Sequence, residues 1–172
     1  LVVAVGRMAT KRLGEITGSE KEYITRVKLG WTSTTDDREG QKTQIEVRQI
    51  PSEDQIRMAL AGFVGVISQR PPIFSALKVG GRAAYKLARA NKQIELAERQ
   101  VEAKVVELIR YEWPSVDVRL VTGSGFYVRS FARDLGEALG TGGYVEQLER
   151  TRVGAFTKEQ ALRISDLKRP SV

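Results

Sequence analysis

Residues 101–121 read VEAKVVELIRYEWPSVDVRLV. Val101–Tyr111 and Val116–Val121 are rich in β-branched and apolar residues, the composition of strands. Trp113-Pro114-Ser115 supplies turn chemistry between them. Two such runs so close together predict neighbouring strands, as in a hairpin. Downstream, Val128–Leu139 repeats apolar residues at helical spacing through Val128, Phe131, Ala132, Leu135 and Leu139, and Gly140 closes the helix. Upstream, Tyr23–Leu29 alternates, placing Tyr23, Thr25, Val27 and Leu29 on one face of a strand.

The remaining segments fill in around these. A short helix is predicted over Met8–Ile16, ended by Gly18, and Gln44–Ile50 alternates like a strand. Ser52 is a candidate N-cap, followed by Glu53 and Asp54 in the first turn of a helix that carries Ile56, Ala59, Leu60 and Phe63 on one face. Val64–Ser68 is β-rich and stops before Pro71-Pro72. Ala83–Ala90, Val145–Arg150 and Lys158–Leu167 read as helices, and Arg152–Phe156 as a strand. Strands beside strands, with scattered helices and no strict βαβ alternation, predict an α+β fold: a mainly antiparallel or mixed sheet with flanking helices.

The chain has 172 residues, 41% hydrophobic and 28% charged. That suits one domain with a buried core and excludes intrinsic disorder. No apolar run reaches the ~18 residues of a membrane span, so no membrane partner is expected. Histidine and cysteine are both absent. Disulfides, thiolate nucleophiles, histidine triads and the usual zinc sites are therefore excluded, and no metal site is expected. Chemistry must come from carboxylates, Tyr, Lys, Arg or hydroxyls. Twenty-eight basic against 21 acidic residues leave a net charge of +7, which points to an anionic partner, with nucleic acid the commonest and plain solubility the alternative.

Three segments stand out. In the helix at 128–139, Arg129 sits in the first turn, where the helix dipole disfavours a cation. Its i+4 neighbour is Arg133, a like charge, whereas Arg133 has Glu137 and Ser130 has Asp134 as candidate partners at that spacing. Arg129 is then either solvated or paired with a distant phosphate or carboxylate. In residues 70–89, two prolines, the pair Gly80-Gly81 and the cations Lys78, Arg82, Lys86 and Arg89 lie beside Phe74 and Tyr85. This suits a phosphate backbone, though a solvated basic face has the same pattern. Tyr23 opens a strand, as a core ring or as a platform for a base. Asp36-Asp37 falls in a polar turn, where adjacent carboxylates usually point apart and cap. No third carboxylate has ligand spacing, and no Asp has the look of a nucleophile.

Several blocks together resemble the TruB-type tRNA pseudouridine synthases, which isomerise a uridine in the tRNA TΨC loop. They are Val-Gly-Arg-Met-Ala-Thr-Lys (5–11), Lys-Glu-Tyr (21–23), Thr-Thr-Asp-Asp-Arg-Glu-Gly (34–40), the Pro-Pro-Ile-Phe-Ser-Ala-Leu-Lys-Val-Gly-Gly-Arg block through residue 89, Phe-Tyr-Val-Arg-Ser-Phe-Ala-Arg-Asp-Leu-Gly-Glu-Ala-Leu-Gly-Thr-Gly-Gly (126–143) and Leu-Glu-Arg-Thr-Arg-Val-Gly-Ala-Phe (148–156). The resemblance implies that Tyr23 stacks on a flipped target base and that Arg129 pairs with the nucleophilic carboxylate. It implies that Tyr127 and Leu148 line the uridine pocket, and that Lys78, Arg82 and Lys86 approach the tRNA backbone. It implies no cofactor and no metal, tRNA as partner, a cytoplasmic monomer and the pseudouridine synthase fold.

The departures carry expectations of their own. The chain opens on Leu1 inside an apolar run, which reads as a polypeptide cut within an element. In the family, a Gly-x-Leu-Asp-Pro segment with the nucleophilic Asp precedes this point, so residues 1–172 are expected to be a partial catalytic domain, without a C-terminal PUA domain and inactive alone. A non-catalytic RNA-binding remnant and a guide-RNA-dependent, dyskerin-type core are the alternatives. Met8 reads as an insertion in the family's Gly-Arg-Ala-Thr-Lys run, which would turn a helix face by about 100° unless absorbed at the helix start.

Overall fold

The computed structural model describes residues 2–75, 77–79, 81–84, 96–163 and 165. Among them, six strands form one sheet in which every ladder is antiparallel. Its strands in chain order are β1 (Lys21–Leu29), β4 (Gly65–Gln69), β7 (Arg99–Glu112), β8 (Ser115–Thr122), β9 (Gly143–Val153) and β10 (Phe156–Thr157). Two short ribbons pair β2 (Trp31–Ser33) with β3 (Lys42–Gln44) and β5 (Lys78–Val79) with β6 (Arg82–Ala83). The helices are α1 (Arg7–Thr10), α2 (Leu13–Gly18), α3 (Glu53–Ala61) and α4 (Val128–Ala138). The spatial order is β10-β9-β1-β8-β7-β4.

The hairpin at 101–121 is the β7–β8 ladder, and β8 continues into β1 with Thr25 opposite Val118 and Val27 opposite Val116. Cross-strand partners share a face. Thr25, Val27, Leu29, Val116, Val118 and Leu120 therefore form one buried surface, all at or below 1% exposure. α4 lays Val128, Phe131, Ala132 and Leu135 on the core, and α3 adds Ile56 and Leu60. Phe63 meets the Phe131 ring edge-on, with centroids 5.1 Å apart. Each fully buried Phe or Leu of this kind contributes roughly 1.5–3 kcal/mol. Ser52 caps α3 reciprocally with Gln55, as its sequence promised.

The end of α4 meets the start of β9 without room for a side chain. A Cβ on Gly136 would lie 2.2 Å from the Gly142 carbonyl carbon, and one on Gly143 would lie 2.5 Å from the Ala132 carbonyl oxygen. The Gly136 carbonyl accepts from the amides of Thr141 and Gly142 at 2.9 and 3.1 Å. Backbone thus rests on backbone, and this contact sets how deep the helix lies.

Several sequence expectations change. Residues 145–150 are not helical; they belong to the 11-residue strand β9. Glu146, Gln147, Leu148 and Glu149 have helical propensity, but pairing with β1 overrides it. The alternation over 44–50 yields only the three-residue β3, because 45–50 finds no ladder partner among the described residues. Lys158–Gln160 forms one 3-10 turn where a longer helix was expected. Ala83, expected to begin a helix, lies with Arg82 in β6, and residues 85–90 of that expected helix lie outside the described residues. Met8 is 83% exposed and α1 buries nothing, so its insertion turns no packed face.

Gly136→Ala is the sharpest test of this packing. Backbone cannot swing aside as a side-chain end can, so we expect a loss of stability of at least about 1–3 kcal/mol. It would be read as a lowered denaturant midpoint.

Candidate active site

The turn after β2 and the first two turns of α4 face each other. Asp36 is in the left-handed region at φ 59°, and its carbonyl accepts from the Val145 amide at 3.0 Å, tying the turn to β9. Gly40 closes the turn where a Cβ would lie 2.4 Å from Ser33 Oγ. Asp37 Oδ1 accepts from Thr35 Oγ1 at 2.5 Å and from the Glu39 amide at 3.0 Å. The two carboxylates point apart, as expected, but they do more than cap. Asp37 Oδ2 lies 3.2 Å from Arg129 Nη1, and Asp36 Oδ2 lies 3.2 Å from Arg133 Nη1. Two adjacent acids of one turn hold two arginines one helical turn apart.

Arg129 has further anchors. Nη1 also donates to the Thr35 carbonyl at 3.4 Å, and Nη2 to the Phe74 carbonyl at 2.9 Å. A guanidinium has five N–H groups, so two remain without a partner among the described residues. The side chain is 25% exposed. It forms part of a cleft of about 410 Å³ whose walls include Asp37, Arg38, Val145 and Leu148. Leu148 is 49% exposed, on β9 opposite Thr25. Tyr23 is two residues along β1 on the same face, half-buried and packed on the core. Tyr127 is the residue before α4. Neither tyrosine is part of that cleft wall. The backbones of Lys78 and Arg82 lie in the β5–β6 ribbon, and Lys86 lies outside the described residues.

Arg133 and Ser130 do not make the i,i+4 contacts that the helix spacing offered. Arg133 Nε donates to Asp134 Oδ1 at 2.9 Å, and Ser130 Oγ donates to the Arg70 carbonyl at 2.7 Å. Asp36 and Asp134 thus share one guanidinium. Burial pushes both carboxyls above the ordinary carboxylate range, with Arg133 opposing that rise. Among the described residues, no group of three acidic side chains is placed to hold a metal ion, and no helix is long and apolar enough to cross a membrane.

Residues 1–128 match the TruB family pseudouridylate synthase N-terminal domain, and residues 129–172 match the tRNA pseudouridylate synthase B C-terminal domain. The chain belongs to the TruB family. The tRNA pseudouridine synthase B of Mycobacterium bovis (strain BCG / Pasteur 1173P2) is 41% identical over 177 residues, covering 100% of this chain and 59% of the relative. The protein of the same name from Parabacteroides distasonis is 38% identical over 162 residues, covering 94% of this chain and 68% of the relative. This TruB-family chain therefore spans 59% of the length of its mycobacterial relative. Among solved structures, a Cbf5-Nop10-Gar1 complex superposes with a TM-score of 0.63 and 26% identity, over 87% of this chain and 35% of that chain. An H/ACA RNP bound to a substrate RNA containing 2′-deoxyuridine shares the fold, with a TM-score of 0.59 and 23% identity over 87% of this chain and 33% of that chain.

The TruB-family resemblance singled out Arg129 and Leu148 from sequence, and they share the cleft. The pairing of Asp36 and Asp37 with the two arginines and the contact of the Phe74 carbonyl with Arg129 were missed. One signal was available: two arginines at i,i+4 on the helix, and two adjacent aspartates needing cations.

The raised carboxyls at Asp36 and Asp134 give a signed pH prediction. A carboxyl raised in the fold binds more protons folded than unfolded. Its contribution is present below the unfolded value of about 4 and is lost as pH rises through the folded value. Asp134→Asn removes one of these groups, so the decline of melting temperature with rising pH should be shallower in the variant than in the parent.

Proposed function

We propose that this chain carries most of the catalytic domain of a tRNA pseudouridine synthase, isomerising a uridine in the TΨC loop. The observation that carries the reading is Arg129: three hydrogen bonds fix its guanidinium at a cleft, and two of its N–H groups have no partner among the described residues. Such a fixed cation keeps a nearby carboxylate ionised and oriented. Both oxygens of Asp37 are already engaged, so Asp37 serves as an anchor for Arg129. The nucleophilic Asp is then supplied from outside these 172 residues, and the 172 residues alone are inactive.

In the reaction, the carboxylate attacks the flipped nucleotide and the N1–C1′ glycosidic bond breaks. Uracil rotates, a C5–C1′ bond forms as the bond between the carboxylate and the nucleotide breaks, and the C5 proton is lost as N1 gains one. The sum is an isomerisation, needing neither a redox partner nor an organic cofactor. Tyr23 stacks on the extruded base, a contact worth about 1–3 kcal/mol. Leu148 and Tyr127 shape the pocket around the uracil. Lys78, Arg82 and Lys86 meet phosphates of the tRNA. The enzyme acts as a cytoplasmic monomer without a metal.

A single-turnover assay on unmodified tRNA tests this. Protein that includes the family's Asp segment should form pseudouridine, and the 172 residues alone should form none. Arg129→Lys in the longer protein keeps the charge but loses the planar fork. We expect its single-turnover rate to fall at least ~10²-fold. Because free tRNA is the substrate, turnover without any added guide RNA separates this reading from a guide-dependent core. Pseudouridine formed by the 172 residues alone would overturn the assignment of the nucleophile.

A further inference from the structure

Gln69 ends β4 with 1% exposure. Its side chain reaches a residue 58 positions later and lies along that residue's main chain. Nε2 donates to the Tyr127 carbonyl at 3.2 Å, and the Tyr127 amide donates to Oε1 at 3.0 Å. The pair has the form of one rung of a sheet ladder, made on one side by an amide side chain. Tyr127 has no other fixed cap: it precedes α4 with φ −109° and ψ 112°, and its own side chain makes no capping bond. Its carbonyl also takes the first helical bond from the Phe131 amide at 3.0 Å.

The chain beyond Gln69 continues along the same helical turn. The Arg70 carbonyl accepts from Ser130 Oγ at 2.7 Å and from Arg133 Nη2 at 2.9 Å. The Phe74 carbonyl accepts from Arg129 Nη2 at 2.9 Å. Residues 69–74 therefore touch Tyr127, Arg129, Ser130 and Arg133, which are the opening turns of α4. Of these contacts, only the Gln69 clasp depends on which side chain the strap carries; the others use its carbonyls.

We propose that Gln69 is a positioning residue: through two hydrogen bonds to the Tyr127 main chain, it sets the rotation of the first turn of α4 and so aims Arg129 and Tyr127. The inference rests on the function proposed above, in which both residues face the reacting nucleotide. The site demands a neutral amide. Glutamate can accept from the Tyr127 amide but, ionised, cannot donate to its carbonyl, and it would bury a charge. Asparagine is one methylene too short to reach both groups.

The test uses the full-length protein with Gln69→Glu. Protonated, that side chain again offers one donor and one acceptor. Single-turnover pseudouridine formation at saturating tRNA, tRNA affinity and circular dichroism are followed over roughly pH 5 to 9, a range spanning ionisation of a buried carboxyl. Arg99 opposite Gln69 in β7, the Arg70–Glu98 pair, Arg133 and Asp134 are the surrounding charges. They are common to parent and variant, so the rate is expressed as a ratio to the parent at each pH. At high pH the folded variant should bind tRNA nearly as the parent does yet react about 10–100-fold more slowly, the effect of a small misplacement at a reacting centre. The ratio should climb back towards one as pH falls.

A variant that is less stable but matches the parent rate at every pH would reduce Gln69 to a purely structural role and overturn the proposal. If Gln69→Glu does not fold, Gln69→Met fills the space without a charge. It should be slow at all pH, and a parent-like rate would overturn the proposal equally. If the parent itself forms no pseudouridine, the functional reading has failed. The clasp is then judged by hydrogen exchange at the Tyr127 amide, which must quicken in Gln69→Met if it exists.

Discussion

Two like charges one helical turn apart repel, and in α4 they are Arg129 and Arg133. The fold tolerates them because two adjacent carboxylates arrive from a distant turn, one for each guanidinium. That arrangement needs Asp36 and Asp37 to diverge, which the left-handed backbone at Asp36 achieves. It also needs the turn to be rigid, which the Thr35, Glu39 and Ser33 hydrogen bonds supply. These pairs are half-buried, where screening by solvent is incomplete and an unmatched charge would be costly. This four-charge contact ties the opening turns of α4 to the turn after β2 at the edge of the cleft.

Much of the architecture was legible in the residues. Alternation at 23–29, the hairpin around Trp113-Pro114 and the apolar stripe of α4 each point to the element that forms. Burial was strong there, so pattern and structure agree. Where burial is weak, propensity misled. Residues 146–150 look helical in isolation, yet they lie in a strand whose inward face is filled mainly near its two ends. Their conformation comes from backbone pairing with β1, which no local pattern encodes.

The site was legible in a different way. Nothing local marked Arg129 except the discomfort of a cation at a helix start beside another cation. The resemblance to a family supplied the role, and the structure supplied the partner. Gln69 and the Phe74 carbonyl left no trace in the sequence because they act through main-chain geometry. A buried glutamine in a strand reads as an ordinary polar residue until the segment it clasps is known. The six-residue strap from Gln69 to Phe74 thereby joins an edge strand of the sheet to the opening turns of α4.

The strand that carries Tyr23 has neighbours that are synthesised late. β1 lies between β8 and β9, and Thr25 hydrogen-bonds Gln147 across a separation of 122 residues. The β8 edge of β1 is paired by residues 115–122, whereas its β9 edge waits for residues 143–153. Loop-closure entropy makes such distant pairing slow. β1 and β9 meet beside the cleft, so that wall is completed only when this long-range pairing has formed.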